Sequence, residues 1–361
     1  MIIDTLIILF VAFALYGCNF APKNQFHTDY ISIDNSNIIK GLFAAYIVFH
    51  HLSKRTSCGI IFRVFAENGY LPVAIFFFIT GYGLVKSYQT RHDYLQHFIL
   101  KRLPPVLVPF LLIAVVYWIQ YCIQNQTILG PISILHMMKS EILLVKFSWY
   151  VIVILIYYIW FWFFARFAKN DKHFIFINVA FAIVWWGICN FCIGYSSMWY
   201  GSCLAIAAGS ILAVYQSNIT KFIERHYKSL LFVLAFTFIT IIRFTWTITA
   251  HLPIADIAES HSWFISLFIT ESTSMLFPFI IFMIAMKLKL KNKLLVYLGK
   301  WSYEIYITHG LFVIAFDFLK DMSEQLYCIL IIFATLPTAA LLWHISKKVL
   351  GSYKKWLETK I

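Results

Sequence analysis

Charge is what this chain has least of. Lys, Arg, Asp and Glu together make up 12% of its 361 residues, and only 16 are acidic against 29 basic. A soluble domain carries about a quarter of its residues as charges to keep its surface in water, so this composition lies outside the soluble globular range. Long polar stretches are missing too: the longest loops between apolar runs are about 20 residues, with no repeat and no low-complexity linker, so no soluble domain is expected. Seven cysteines (Cys18, Cys58, Cys122, Cys189, Cys192, Cys203, Cys328) lie scattered, mostly inside apolar stretches, where a thiol behaves as a small hydrophobe. They imply no disulfide framework. Cys189 and Cys192 form a C-x-x-C without the second pair a zinc site needs, so no metal is expected. The first segment opens Met1-Ile2-Ile3-Asp4, with neither a basic run nor an Ala-x-Ala cleavage site, and is expected to remain as a helix.

What the chain has in abundance is apolar surface: 61% hydrophobic and 19% aromatic residues, at a mean hydropathy of +0.78. In hydrocarbon every backbone amide must be satisfied within its own segment or in a closed barrel, and apolar runs of about 17 residues or more select helices. The expected fold is therefore all-α, a polytopic membrane helix bundle of about eleven transmembrane helices in a single integral membrane domain, 1–361. The spans read 2–18, 36–53, 70–87, 104–124, 147–167, 173–189, 198–216, 227–249, 262–286, 302–319 and 325–346. A net charge of +13 would suggest nucleic acid in a soluble protein, but here the basic residues fall in short loops, and no nucleic-acid partner is expected. Most of the 29 share one side, among them Lys86, Arg91, Lys101, Arg102, Lys221, Lys287, Lys300 and Lys347, while Lys54, Arg55, Arg63, Lys139, Lys146 and Lys320 lie on the other. The asymmetry predicts an N-terminus outside and a C-terminus in the cytoplasm, and the expected setting is a bacterial plasma (inner) membrane.

An ionisable side chain at membrane depth is costly and often marks a site. The candidates are Lys40, His50, His51, Arg243, Glu271, Glu304, His309 and Asp317. Counted along the helices, His51 lies roughly 16 Å beyond Lys40 toward the outer face. Arg243 and Glu271 fall in the outer half, where they can pair, and Glu304 and His309 near the depth of Lys40. The reading is of two polar layers, an inner basic one (Lys40, Lys101, Arg102) and an outer one (His51, Arg243, Glu271, with Trp149). Each residue also has a plainer role: Lys40 snorkelling to the interface, one of His50 and His51 buried and hydrogen-bonded, Arg243 and Glu271 as a structural ion pair, Trp149 as packing or interface belt.

Four ordered stretches resemble the acyltransferase 3 family of membrane O-acyltransferases. They are Lys40-Gly41-Leu42-Phe43-Ala44-Ala45 running to Phe49-His50-His51; Phe76-Phe77-Phe78-Ile79-Thr80-Gly81-Tyr82; Lys101-Arg102-Leu103-Pro104-Pro105-Val106-Leu107-Val108-Pro109; and Leu298-Gly299-Lys300-Trp301-Ser302-Tyr303-Glu304-Ile305-Tyr306-Ile307-Thr308-His309. Order and spacing are similar over about 36–346. Lysine stands at 40 where arginine is commoner in the family, threonine at 80 for serine, and Pro105 where many members carry a second arginine. The family core has ten spans, so the first helix is an addition, and no fused esterase-like domain is expected.

The resemblance implies transfer of acetyl, or another short acyl group, from a CoA thioester to a carbohydrate hydroxyl. An alcohol is a poor nucleophile near neutral pH, so a histidine must take its proton or first accept the acyl group. His51 matches the family histidine and is expected to be catalytic, with Arg243 and Glu271 orienting it or the acceptor. Lys40, Lys101 and Arg102 are expected to hold the phosphates of acetyl-CoA, with Ser302, Tyr303 and His309 completing the donor site, and Trp149 and His50 are expected on the acceptor side. A transporter or flippase for a lipid-linked sugar is the competing reading, and a pH sensor a third, for which the loops offer no output domain.

Overall fold

The computed structural model describes residues 2–251 and 255–359, with side chains outside 244–266. Its helices are α1 (Ile2–Leu15), α2 (Ile33–Ser53), α3 (Tyr70–Thr90), α4 (Phe98–Arg102), α5 (Pro104–Asn125), α6 (Pro131–Lys139), α7 (Trp149–Phe164), α8 (Lys172–Gly187), α9 (Leu204–His251), α10 (Ala255–Lys287), α11 (Lys293–Lys300), α12 (Ser302–Ala315), α13 (Asp317–Lys320) and α14 (Glu324–Glu358). One small antiparallel pairing, Asn19–Phe20 with Leu288–Lys289, ties the segment after α1 to the end of α10. The all-α polytopic bundle expected from composition is what forms.

Each of the eleven expected spans contains a helix, but they are not eleven separate rods. Seven helices among the described residues are long and apolar enough to cross a membrane. The spans expected at 198–216 and 227–249 run into one another as α9, bent at Tyr215 (φ −108°, ψ 21°) and His226 (φ −118°, ψ 23°). The polar stretch between them is helical, with kinks at those two residues, and does not open into a loop. The tenth span is short, α12 having 14 residues, whereas α14 has 35. At 1.5 Å per residue α14 extends roughly 52 Å, well past the ~30 Å hydrocarbon core.

Where helices must touch backbone to backbone the sequence supplies glycine. A β-carbon on Gly81 would lie 2.1 Å from the carbonyl oxygen of Ile206, and one on Gly209 would lie 2.0 Å from that of Phe78. Small residues of this kind let α3 and α9 approach at their contact. The same device joins α2 to α11: a β-carbon on Gly41 would meet the Gly299 amide at 2.7 Å, and one on Gly299 the Asn37 carbonyl oxygen at 1.9 Å. That second contact sets the register of α2 against the chain entering α12, and hence which side chains meet further along. A buried polar chain, Tyr157 Oη to Asn178 Oδ1 at 3.0 Å and Asn178 Nδ2 to Ser210 Oγ at 2.5 Å, links α7, α8 and α9 with its donors satisfied.

Candidate active site

From the Gly41–Gly299 contact, ten residues along each chain bring α2 to His51 and α12 to His309. Their rings lie nearly parallel, centroids 5.1 Å apart at 23°. Sequence reasoning placed His309 near the depth of Lys40; the structure corrects this, because the register of α2 with α11 carries His309 up to His51. A third ring completes the group: Phe147 stacks on His51 at 3.8 Å and 16°, and faces His309 at 5.4 Å and 11°. The Arg55 guanidinium, one turn beyond His51, lies 5.8 Å from the Phe147 centroid.

The two histidines differ in exposure and bonding. His309 is fully buried, and its Nδ1 faces the Ile305 carbonyl oxygen at 3.2 Å. A carbonyl only accepts, so Nδ1 carries the proton and Nε2 holds a free lone pair. That Nε2 is buried with no hydrogen-bond partner. Such an orphaned polar atom is rare in a folded interior and calls for an explanation. His51 is partly accessible, and among the described residues no protein group hydrogen-bonds its ring nitrogens. The arrangement is a partly accessible imidazole backed by a buried one whose Nε2 has no partner.

Phe147 was not singled out in the sequence. It has φ 66°, in the left-handed region that costs a non-glycine residue roughly 1–2 kcal/mol. Tyr306 holds it there by donating its hydroxyl to the Phe147 carbonyl. Strain of this kind survives where surrounding contacts over-determine it, and it concentrates at sites of function. Phe147→Gly relieves the backbone while removing the ring that orients His51. The variant is expected to keep its thermal stability within a few degrees and to lose most acyl-transfer activity, by melting curves and initial rates on the same preparation.

The remaining expected residues divide between the ends of the bundle. At the basic end, Arg102 donates from Nε and Nη2 to the Tyr94 hydroxyl at 3.1 and 2.8 Å, and from Nη2 to Ser87 Oγ at 3.3 Å. Lys101 lines a groove of about 520 Å³ with Pro104, Pro105, Tyr353 and Lys354. Ser302 opens α12, and the Tyr303 hydroxyl donates to the Val106 carbonyl at 2.8 Å, which ties Tyr303 to the first turn of α5. Lys40 is partly buried, and among the described residues no carboxylate lies within ion-pair distance of it. From Tyr303 to His309 is six residues of α12, roughly 9 Å, so one helix connects the basic end with the histidine pair.

Other expected residues make contacts with the protein's own backbone and core. Glu271 accepts from the Leu204 amide at 3.1 Å, at the N-terminus of α9 where the helix dipole favours an anion. Pairing with Arg243 is not what engages it, and Arg243 itself is exposed. His50 faces the Phe65 carbonyl oxygen through Nδ1 at 2.8 Å, and its ring fills the space beside Gly69, fastening the loop after α2. Trp149 is buried in the core, edge-on to Tyr150 at 6.4 Å.

No curated protein and no solved structure matches this chain. A family model does: the acyltransferase 3 family, described as an acyltransferase domain, matches residues 33–344, covering α2, α12 and both histidines. The chain is an integral membrane acyltransferase of the acyltransferase 3 family.

Proposed function

We propose that the protein transfers acetyl from acetyl-CoA to a hydroxyl of a cell-surface polysaccharide or its lipid-linked precursor, across a bacterial plasma membrane with its basic end in the cytoplasm. The observation that carries this reading is the nearly parallel pair of His51 and His309, one partly accessible and one buried with an unpartnered Nε2. His51 takes the proton of the acceptor hydroxyl as its oxygen bonds to the thioester carbonyl carbon. The carbon–sulfur bond then breaks and the proton passes to the leaving thiolate. Acyl transfer through His51 itself uses the same residues and gives the same products.

Lys40, Lys101 and Arg102 would hold the donor's phosphates. The partly buried, uncompensated Lys40 and the open groove at Lys101 suit an anionic group. Arg102 brings three donor contacts already committed to Tyr94 and Ser87, so it would share or exchange them. Lys40→Ala is accordingly expected to raise KM for acetyl-CoA several-fold while leaving KM for the acceptor within twofold; equal effects on both would remove Lys40 from the donor site. The reading as a whole is tested by mass spectrometry of surface glycans from cells with and without the protein: it expects an acetyl ester on one sugar that disappears with the protein, and unchanged glycans would overturn it.

A further inference from the structure

At the histidine end of the bundle two thiols meet that the sequence keeps far apart. Cys58 lies in the loop after α2 and Cys328 near the start of α14, 270 positions apart in the chain, yet their sulfurs are 4.0 Å apart. The Thr56 hydroxyl sits 3.5 Å from Cys58 Sγ and 3.9 Å from Cys328 Sγ. The loop is clamped on both sides. The Asp4 carboxylate of α1 accepts from the amides of Ile60 and Phe62 at 3.0 and 3.1 Å, and the Glu324 carboxylate of α14 accepts from the Ser57 amide and hydroxyl at 2.8 and 3.0 Å. Packing of α1 and α14, not chance encounter, therefore brings the sulfurs to a separation that side-chain torsions can close.

We propose that Cys58 and Cys328 are an oxidation site and form an intramolecular disulfide that staples the loop beside His51 to α14. The inference rests on the reading that this end faces the outside, where disulfides persist. The oxidant is an external disulfide, small or protein-borne. Cys58 is the more accessible of the two and Cys328 is buried. The Cys58 thiolate attacks one sulfur of the external disulfide, releasing one thiolate and leaving a mixed disulfide. The Cys328 thiolate then displaces the second from Cys58. Two protein thiols are oxidised, one disulfide is reduced to two thiols, and the two protons pass to the released thiolates. The staple fixes Cys58 three residues from Arg55, whose guanidinium lies over the Phe147 ring against His51.

Differential alkylation of the full chain in acid-quenched cells tests this. Free thiols are blocked with light N-ethylmaleimide, disulfides are reduced, and new thiols take the heavy reagent. The tryptic peptide 56–63 reports Cys58 alone. Wild type is expected to carry the heavy label and Cys328→Ala the light one, both from protein recovered in the membrane fraction. Light label on wild type, or heavy label persisting in Cys328→Ala, overturns the disulfide. After reduction, a membrane-impermeant maleimide applied to intact cells is expected to reach Cys58. Light label together with outside access defeats the staple and leaves the orientation standing, whereas labelling only in inverted vesicles defeats both.

Discussion

His51→Ala is expected to lower acetyl transfer by about 10²- to 10⁴-fold, the range a positioned general base contributes, with membrane insertion and melting temperature preserved. His51 is partly accessible and its ring nitrogens serve no structural bond among the described residues, so truncation leaves no donor or acceptor stranded. His50→Ala is the contrast. It removes the contact to the Phe65 carbonyl and loosens the loop after α2, so it should cost stability and only part of the rate. Initial rates with labelled acetyl-CoA in membranes of matched protein content separate the two. A His51 variant near wild type would reassign the catalytic role.

His309→Ala is expected to lower kcat by about 10²-fold while leaving KM for donor and acceptor within twofold. The ring lies nearly parallel to that of His51 at 5.1 Å and carries the unpartnered Nε2. A residue that merely filled volume would lower the melting temperature and the inserted amount without this split. Comparing kcat, KM and melting temperature on one preparation therefore distinguishes positioning from packing.

Much of the architecture was legible because the bilayer imposes it: apolar runs must become helices, and all eleven expected spans contain one. The fusion of two spans into α9 was not legible. Its basic stretch between 221 and 228 reads as an interruption, yet the chain stays helical there and only kinks, at His226. The depth of His309 was legible in principle. Counting from Ser302 as a fresh start missed that α11 already lies against α2 at Gly41 and Gly299; ten residues on from that contact, each chain reaches a histidine. The Thr80-Gly81 motif, read at first as a family mark, has a packing reason in the contact with α9.

Other features could not be read from residue order. A phenylalanine at φ 66° has no sequence signature, so Phe147 passed as one more aromatic in an aromatic-rich chain. Glu271 looked like the partner of Arg243 because both are ionisable residues in the outer half, but a helix N-terminus can satisfy a carboxylate as well as a guanidinium does. Cys58 and Cys328 are joined only by the way α1 and α14 grip one loop.

The pair of His51 and His309 is expected to move an acyl group between a donor held at the basic end and a hydroxyl at the other. The direct measurement is acetyl transfer by purified protein in sealed, uniformly oriented proteoliposomes, with labelled acetyl-CoA supplied only at the Lys101 face and a glycan acceptor only at the opposite face. Label is expected in the glycan with wild-type protein and at background with His51→Ala or His309→Ala. Equal label from wild type and both variants would remove the two histidines from the transfer.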